Sequence, residues 1–211
     1  TENTAEITDI LFGDVFIASG QSNMEMTLSN TVNQLKKLNA SEADRIVNEA
    51  NGGNTEIRFF NQSNVLSSMV PLEDAYTGSW TVGGSYENIQ GYSAVAYFFA
   101  QKLYSELDGE IPIGVIAARR GGTKIKAWIP EKAYTAVYND LTDYNHSNYF
   151  SYRVWTGEWN AQLAPLTCLN AKGVIWYQGE DDTDIPEGYK KCFRVLKDGW
   201  REEFNNENLS F

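Results

Sequence analysis

The chain has 211 residues, 42% apolar and 13% aromatic, with 17 Lys and Arg against 28 Asp and Glu and a formal net charge of −11. That length supports one domain with a proper core, or a large piece of one, and glycine and proline are too sparse for a fibrous or low-complexity chain. The acidic balance argues against nucleic acid or an anionic membrane as the main partner, since both call for a basic face, and no apolar run approaches the roughly 20 residues of a bilayer span.

Thr1 to Ile10 has neither a basic nor an apolar region of the kind a signal peptide needs, although a mature exported chain would look the same. Ile7 to Phe12 reads as a connection arriving from upstream. The first buried strand is Val15-Phe16-Ile17-Ala18. Its continuous rather than alternating apolar run fits a strand covered on both faces of a parallel sheet. A more polar helix is expected from Ser29 to Ala50, ending at Asn51-Gly52-Gly53, and Ile57-Arg58-Phe59-Phe60 is a weaker strand. Tyr92 to Leu107 places Val95, Phe98, Phe99, Leu103 and Leu107 on one stripe at helical spacing.

Ile113 to Ala118 is a second strong strand, and Val174-Ile175-Trp176-Tyr177 a third. Between them Asn139 to Tyr152 is polar and aromatic without period, which reads as a long surface loop. A last helix is expected from Ile185 to Phe204, with Asp184 as N-cap and Pro186 in the first turn. Leu209-Ser210-Phe211 resembles the opening of another strand. Alternating strands and helices predict a three-layer α/β/α sandwich with a mostly parallel sheet, incomplete at the C-terminus, as a single partial domain over residues 1–211.

Two cysteines, Cys168 and Cys192, and one histidine, His146, are too scattered for a zinc cluster. Strand rise and helix return leave the two cysteine Cα atoms roughly 10 Å apart in height, beyond the reach of a disulfide, so two free, mostly buried thiols are expected.

Ligands of open parallel sheets bind beyond the carboxyl ends of the strands. The three strong strands run into Gly20-Gln21-Ser22-Asn23-Met24, Gly121-Gly122-Thr123 and Gln178-Gly179-Glu180-Asp181-Asp182, three segments that would converge on one crevice. Ser22 fits either an N-cap or a nucleophile at the start of a helix, and Met24 separates the segment from the G-x-S-x-G elbow. Gly121-Gly122 reads as a plain turn or as an oxyanion N–H source. Glu180 is a solvated acid or the partner of a histidine. Gln178 is an oxyanion amide or a loop support.

Gly13 to Met26, containing G-Q-S-N-M, resembles the nucleophile block of the sialate O-acetylesterase family, which belongs to the SGNH/GDSL hydrolase superfamily and is similar to acetylxylan esterases. Tyr92 to Ala100, Gly121 to Trp128, Asn160 to Leu166 and Gly173 to Glu180, with W-Y-Q-G-E, agree in order and spacing, so the likeness spans nearly the whole chain. The resemblance implies a serine esterase that removes O-acetyl groups from carbohydrates, sialic acids foremost and acetylxylan as the alternative, through an acetyl-enzyme on Ser22. It implies an extracellular, periplasmic or lysosomal setting, and no metal or organic cofactor. The oxyanion would be held by the N–H of Ser22, an N–H of Gly121 or Gly122, and Gln178 in place of the superfamily's asparagine. Gln21, Asn23, Arg119, Arg120 and Trp128 are candidates for binding substrate, the arginines for a sugar carboxylate or for a salt bridge, and Trp128 for a sugar ring or for the core.

The resemblance places the family's base in an Asp-x-x-His block after the W-Y-Q-G-E strand, where this sequence has no histidine; its one histidine, His146, precedes that strand. Losing a general base costs about 10²–10⁴-fold. The chain alone is therefore expected to be a poor esterase, or a silent sugar-binding fragment, with a C-terminal segment or a second chain supplying the histidine.

Overall fold

The computed structural model describes residues 6–62, 67–74, 78–137, 155–184 and 186–211. His146 and the Asn139 to Tyr152 loop lie outside the described residues.

Five strands, β1 (Asp14–Gly20), β2 (Ile57–Asn61), β3 (Trp80–Val82), β4 (Ile113–Arg119) and β5 (Gly173–Tyr177), form one sheet in the order β3-β2-β4-β1-β5. β2, β4, β1 and β5 are mutually parallel, and β3 is an antiparallel edge. Parallel neighbours need crossovers over the faces, and the helices supply them: α1 (Ser22–Glu25), α2 (Leu28–Leu38), α3 (Ala40–Asn51), α4 (Tyr86–Ile89), α5 (Ala94–Glu106), α6 (Glu131–Val137) and α7 (Pro186–Glu203).

Strand side chains alternate between two cores, which is why the runs look uniformly apolar in sequence. Ile17, Ile116, Ala118 and Val174 face one core, closed by Trp128, Trp159, Leu196 and Trp200. Ala18, Val115, Ile113 and Phe59 face the other, closed by Met24, Leu28, Ile46 and Tyr97. The result is the expected three-layer α/β/α sandwich with a mostly parallel sheet.

Some expectations change in detail. The helix read from Ser29 to Ala50 is two helices, broken at Asn39, whose extended backbone (φ −154°) ends α2 and whose side chain accepts from the Glu42 N–H to cap α3. Asp184 does not stand directly before α7; it pairs with Lys124 at 2.8 Å, two residues ahead of Pro186. Ser210 bridges Gly173 in parallel, and the Val174 N–H donates to the Ser210 carbonyl at 2.8 Å, as the strand-like ending of the sequence implied. Both cysteines are unpaired. Cys192 is buried in α7, whereas Cys168 is exposed in the turn that precedes the entry to β5, against the expectation of two buried thiols. Among the described residues no helix is long and apolar enough to cross a membrane.

Candidate active site

β1 ends at Gly20, whose φ of +142° favours glycine and where a Cβ would lie 2.0 Å from the Tyr177 carbonyl oxygen. Only a residue without a side chain lets the strand turn this tightly against β5. Two backbone bonds hold the turn: Gln21 N–H to the Tyr177 carbonyl at 3.1 Å, and Arg120 N–H to the Gly20 carbonyl at 3.0 Å. Ser22 follows as the first helical residue of α1 and is exposed. Gln21 occupies the capping position and caps nothing with its side chain. The serine is thus presented rather than spent as an N-cap.

The three predicted segments meet, and Gln178 joins them. Its Nε2 shares two protons among Gln21 Oε1 (2.9 Å), the Thr123 carbonyl (3.0 Å) and Asp182 Oδ2 (2.6 Å). Its backbone carbonyl accepts from the Tyr189 hydroxyl at 3.0 Å, and that hydroxyl accepts from Trp176 Nε1 at 3.1 Å. Three acceptors at one nitrogen fix which end of the amide is NH₂. The amide is therefore committed inside the scaffold, and this corrects its expected place among the oxyanion donors.

The other candidates divide in the same way. Gln21, only 3% exposed, accepts at Oε1 from the N–H groups of Gly179 and Asp181 at 3.3 Å each, so it clamps the loop after β5 instead of facing substrate. Asn23 donates to the exposed Glu180 carboxylate, tying α1 to the same loop. The described residues hold no histidine for Glu180 to orient. Trp128 is fully buried, donates to Thr123 Oγ1 at 3.0 Å and packs edge-on to Trp176. It is core, and no sugar ring reaches it.

Arg120 pairs at 2.9 Å with Glu158, itself fully buried, and Gln162 Nε2 donates to the other Glu158 oxygen at 2.7 Å. Burial pushes the Glu158 carboxyl up to about 7, against the pull of Arg120 and Gln162. The Arg120 guanidinium is therefore turned into the protein, which removes it as a receptor for a sugar carboxylate. Arg119 is half-buried and donates through Nη1 to Asn61 Oδ1 at 2.9 Å, while its Nε has no hydrogen-bond partner. Burial lowers its pKa, with Glu25 and Tyr92 acting in the opposite sense.

Gly121 lies against α1, where a Cβ on it would sit 3.5 Å from the Ser22 Cβ. Its N–H donates to Glu25 Oε2 at 2.8 Å, so its use as an oxyanion donor requires that carboxylate to give way. Gly122 takes a φ of +71°, which turns the chain sharply beside it.

Glu25 and Asp182 were not singled out from the sequence. Glu25 stands three residues after Ser22 in an S-x-x-E pattern, a local signal that usually marks a capping box. Asp182 belongs to an acidic triplet that reads as solvated, yet it is 1% exposed and accepts from the Ile125 N–H at 3.0 Å. Burial raises its pKa to about 6, opposed by the Ile125 bond and by Lys124.

Residues 12–211 match the family described as carbohydrate esterase, sialic acid-specific acetylesterase. Sialate O-acetylesterases of Homo sapiens and Mus musculus are each 32% identical over 96% of this chain, which spans 38% and 41% of their lengths. The crystal structure of a carbohydrate acetylesterase from Xanthomonas citri superposes with a TM-score of 0.73 at 29% identity, over 93% of this chain and 40% of that one. The chain belongs to the carbohydrate esterase, sialic acid-specific acetylesterase family.

Proposed function

We propose that this member of the sialic acid-specific acetylesterase family carries the nucleophile of a carbohydrate O-acetylesterase, with Ser22 as that nucleophile and O-acetylated sialic acid as its substrate. The observation that carries the reading is the exposed Ser22 at the carboxyl end of the sheet, on a turn that Gln178 ties to the segment after β4. Ser22 Oγ would attack the acetyl carbonyl while its proton passes to a base. The tetrahedral adduct would collapse with release of the sugar alcohol, and water would then hydrolyse the acetyl-serine to acetate. The Ser22 N–H and the Gly121-Gly122 turn are the proposed oxyanion side. The proposed base is a histidine; none stands among the described residues, and His146 lies outside them. An extracellular, periplasmic or lysosomal setting goes with that substrate class.

Turnover of 4-nitrophenyl acetate, of O-acetylated sialic acid and of acetylxylan, in this chain and in a longer one that carries an Asp-x-x-His block after β5, tests the reading. Ser22→Ala should abolish all turnover, and the sialic acid ester should be preferred over acetylxylan. Turnover that survives Ser22→Ala would refute the assignment.

A further inference from the structure

Asp182 lies in the turn after β5, 1% exposed, and one of its oxygens serves two donors, the Ile125 N–H at 3.0 Å and Gln178 Nε2 at 2.6 Å. Its other oxygen is buried without a hydrogen-bond partner. Gln178 in turn donates to Gln21 Oε1 at 2.9 Å, and the same Gln21 oxygen takes the N–H groups of Gly179 and Asp181. Gln21 immediately precedes Ser22, and its backbone sets the direction from which the serine leaves β1. An uninterrupted chain of hydrogen bonds therefore runs from a buried carboxylate to the residue that aims the nucleophile. Its innermost link is charge-assisted and the shortest of the set, as a carboxylate acceptor makes it.

We propose that Asp182 is a positioning residue for Ser22, acting through Gln178 and Gln21. The inference rests on the reading of Ser22 as the nucleophile. With the carboxylate ionised, Gln178 is drawn toward Asp182 and presents its second proton to Gln21 and Thr123. With the carboxyl protonated, the Asp182 oxygen facing Gln178 is a weaker acceptor, and the amide is released to compete elsewhere. Several groups face Asp182: Lys124 and Lys126 from the segment around Ile125–Trp128, Asp184 from its own turn, and Tyr189 and Cys192 from α7. The lysines favour the ionised form, while burial and Asp184 oppose it, which brings the carboxyl up to about 6. The relay is thus held above that pH and slackens below it.

Nuclear magnetic resonance of the ¹⁵N-labelled full chain reads the relay without any need for turnover. Between about pH 5 and pH 8, the Gln178 side-chain amide and the Gly179 and Asp181 backbone amides should shift with one common midpoint near the Asp182 value. Asp182→Asn can still accept both bonds through its carbonyl and should keep the fold while losing that shared titration; Glu180→Gln should leave it intact. Amides that stay flat, or that titrate equally in Asp182→Asn, would overturn the relay. In any form that shows Ser22-dependent turnover, Asp182→Ala should lower kcat about tenfold with KM little changed, a fraction of what an ångström of misplacement costs. Asp182→Asn should recover part of that loss, and equal activity of Asp182→Ala and wild type would also overturn the role. Absence of Ser22-dependent turnover in the wild type would count against the esterase reading alone, since the amide titration judges the relay by itself.

Discussion

Gly121 donates its backbone N–H to the Glu25 carboxylate at 2.8 Å, which ties α1 to the turn after β4. Glu25 stands one helical turn after Ser22, and positions three apart in α1 share a face. The glycine and the serine are therefore held in register by a side chain that belongs to neither. Glu25→Ala should lower Ser22-dependent turnover about tenfold, because misplaced groups lose rate steeply with distance, and it should do so with little change in Tm. Glu25→Gln, which keeps an acceptor, should lie between. Steady-state kinetics with 4-nitrophenyl acetate checks the order; faster turnover in Glu25→Ala would recast the glutamate as a competitor for the oxyanion donor.

The Arg120–Glu158 pair makes a stability prediction with a definite sign. Glu158 is an acid whose native pKa is raised from 4.5 to about 7, so the folded chain holds its proton more tightly than the unfolded chain does. The contribution of this group is fully present below about 4.5 and is lost as pH rises through about 7. Thermal melts across that window should show wild type losing stability relative to Glu158→Gln. Arg120→Leu removes the cation that opposes burial, so it should push the Glu158 carboxyl further up and move the loss of stability to higher pH. A flat difference between wild type and Glu158→Gln would show that the carboxyl is not desolvated as described.

What the sequence made legible follows from what each residue has to do. β1, β4 and β5 are buried on both faces, so their apolar runs announce themselves, and the glycines and polar residues after them mark the crevice. The break at Asn39 is a capping event inside a polar stretch, where hydrophobic period gives little guidance. β3 is three residues long, too short for any alternation to register. The acids were the hardest to place. Glu158 and Asp182 look solvated in sequence because acids usually are, and their burial depends on partners 38 and 57 residues away. Trp128 shows the converse: an aromatic beside a candidate site segment has the composition of a sugar platform, and only packing reveals it as core.

The two thiols separate cleanly by environment. Cys192 is buried in α7, and desolvation, with Asp182 nearby, pushes its pKa up to about 12, so it carries almost no thiolate near neutrality. Cys168 is exposed. Titration with a disulfide reagent should find one fast thiol in the native chain, with the second appearing only on denaturation. Loss of the fast reaction in Cys168→Ser would assign it, and two fast native thiols would contradict the packing of α7.

Arg119 is the remaining candidate for recognising an acidic sugar, because Arg120 is spent on Glu158. It is the last residue of β4, beside the turn that faces Ser22, and Asn61 holds it through Nη1 alone. Its Nε is buried, so donor capacity for a carboxylate rests with the Nη groups of the guanidinium. Glu25 lies close enough to oppose the lowering of the Arg119 pKa, so the same arginine faces the carboxylate that holds Gly121. A substrate carboxylate arriving there would compete with Glu25 for the cation, coupling recognition of the acid to release of the glycine N–H. Arg119→Ala should therefore raise KM for O-acetylated sialic acid about tenfold, the loss of roughly one charged hydrogen bond, while 4-nitrophenyl acetate, which bears no carboxylate, is affected far less. Arg119→Lys should rescue only partly, since an ammonium cannot fork. Equal losses on the acidic and the neutral ester would show that Arg119 supports the loop through Asn61 and does not read the sugar.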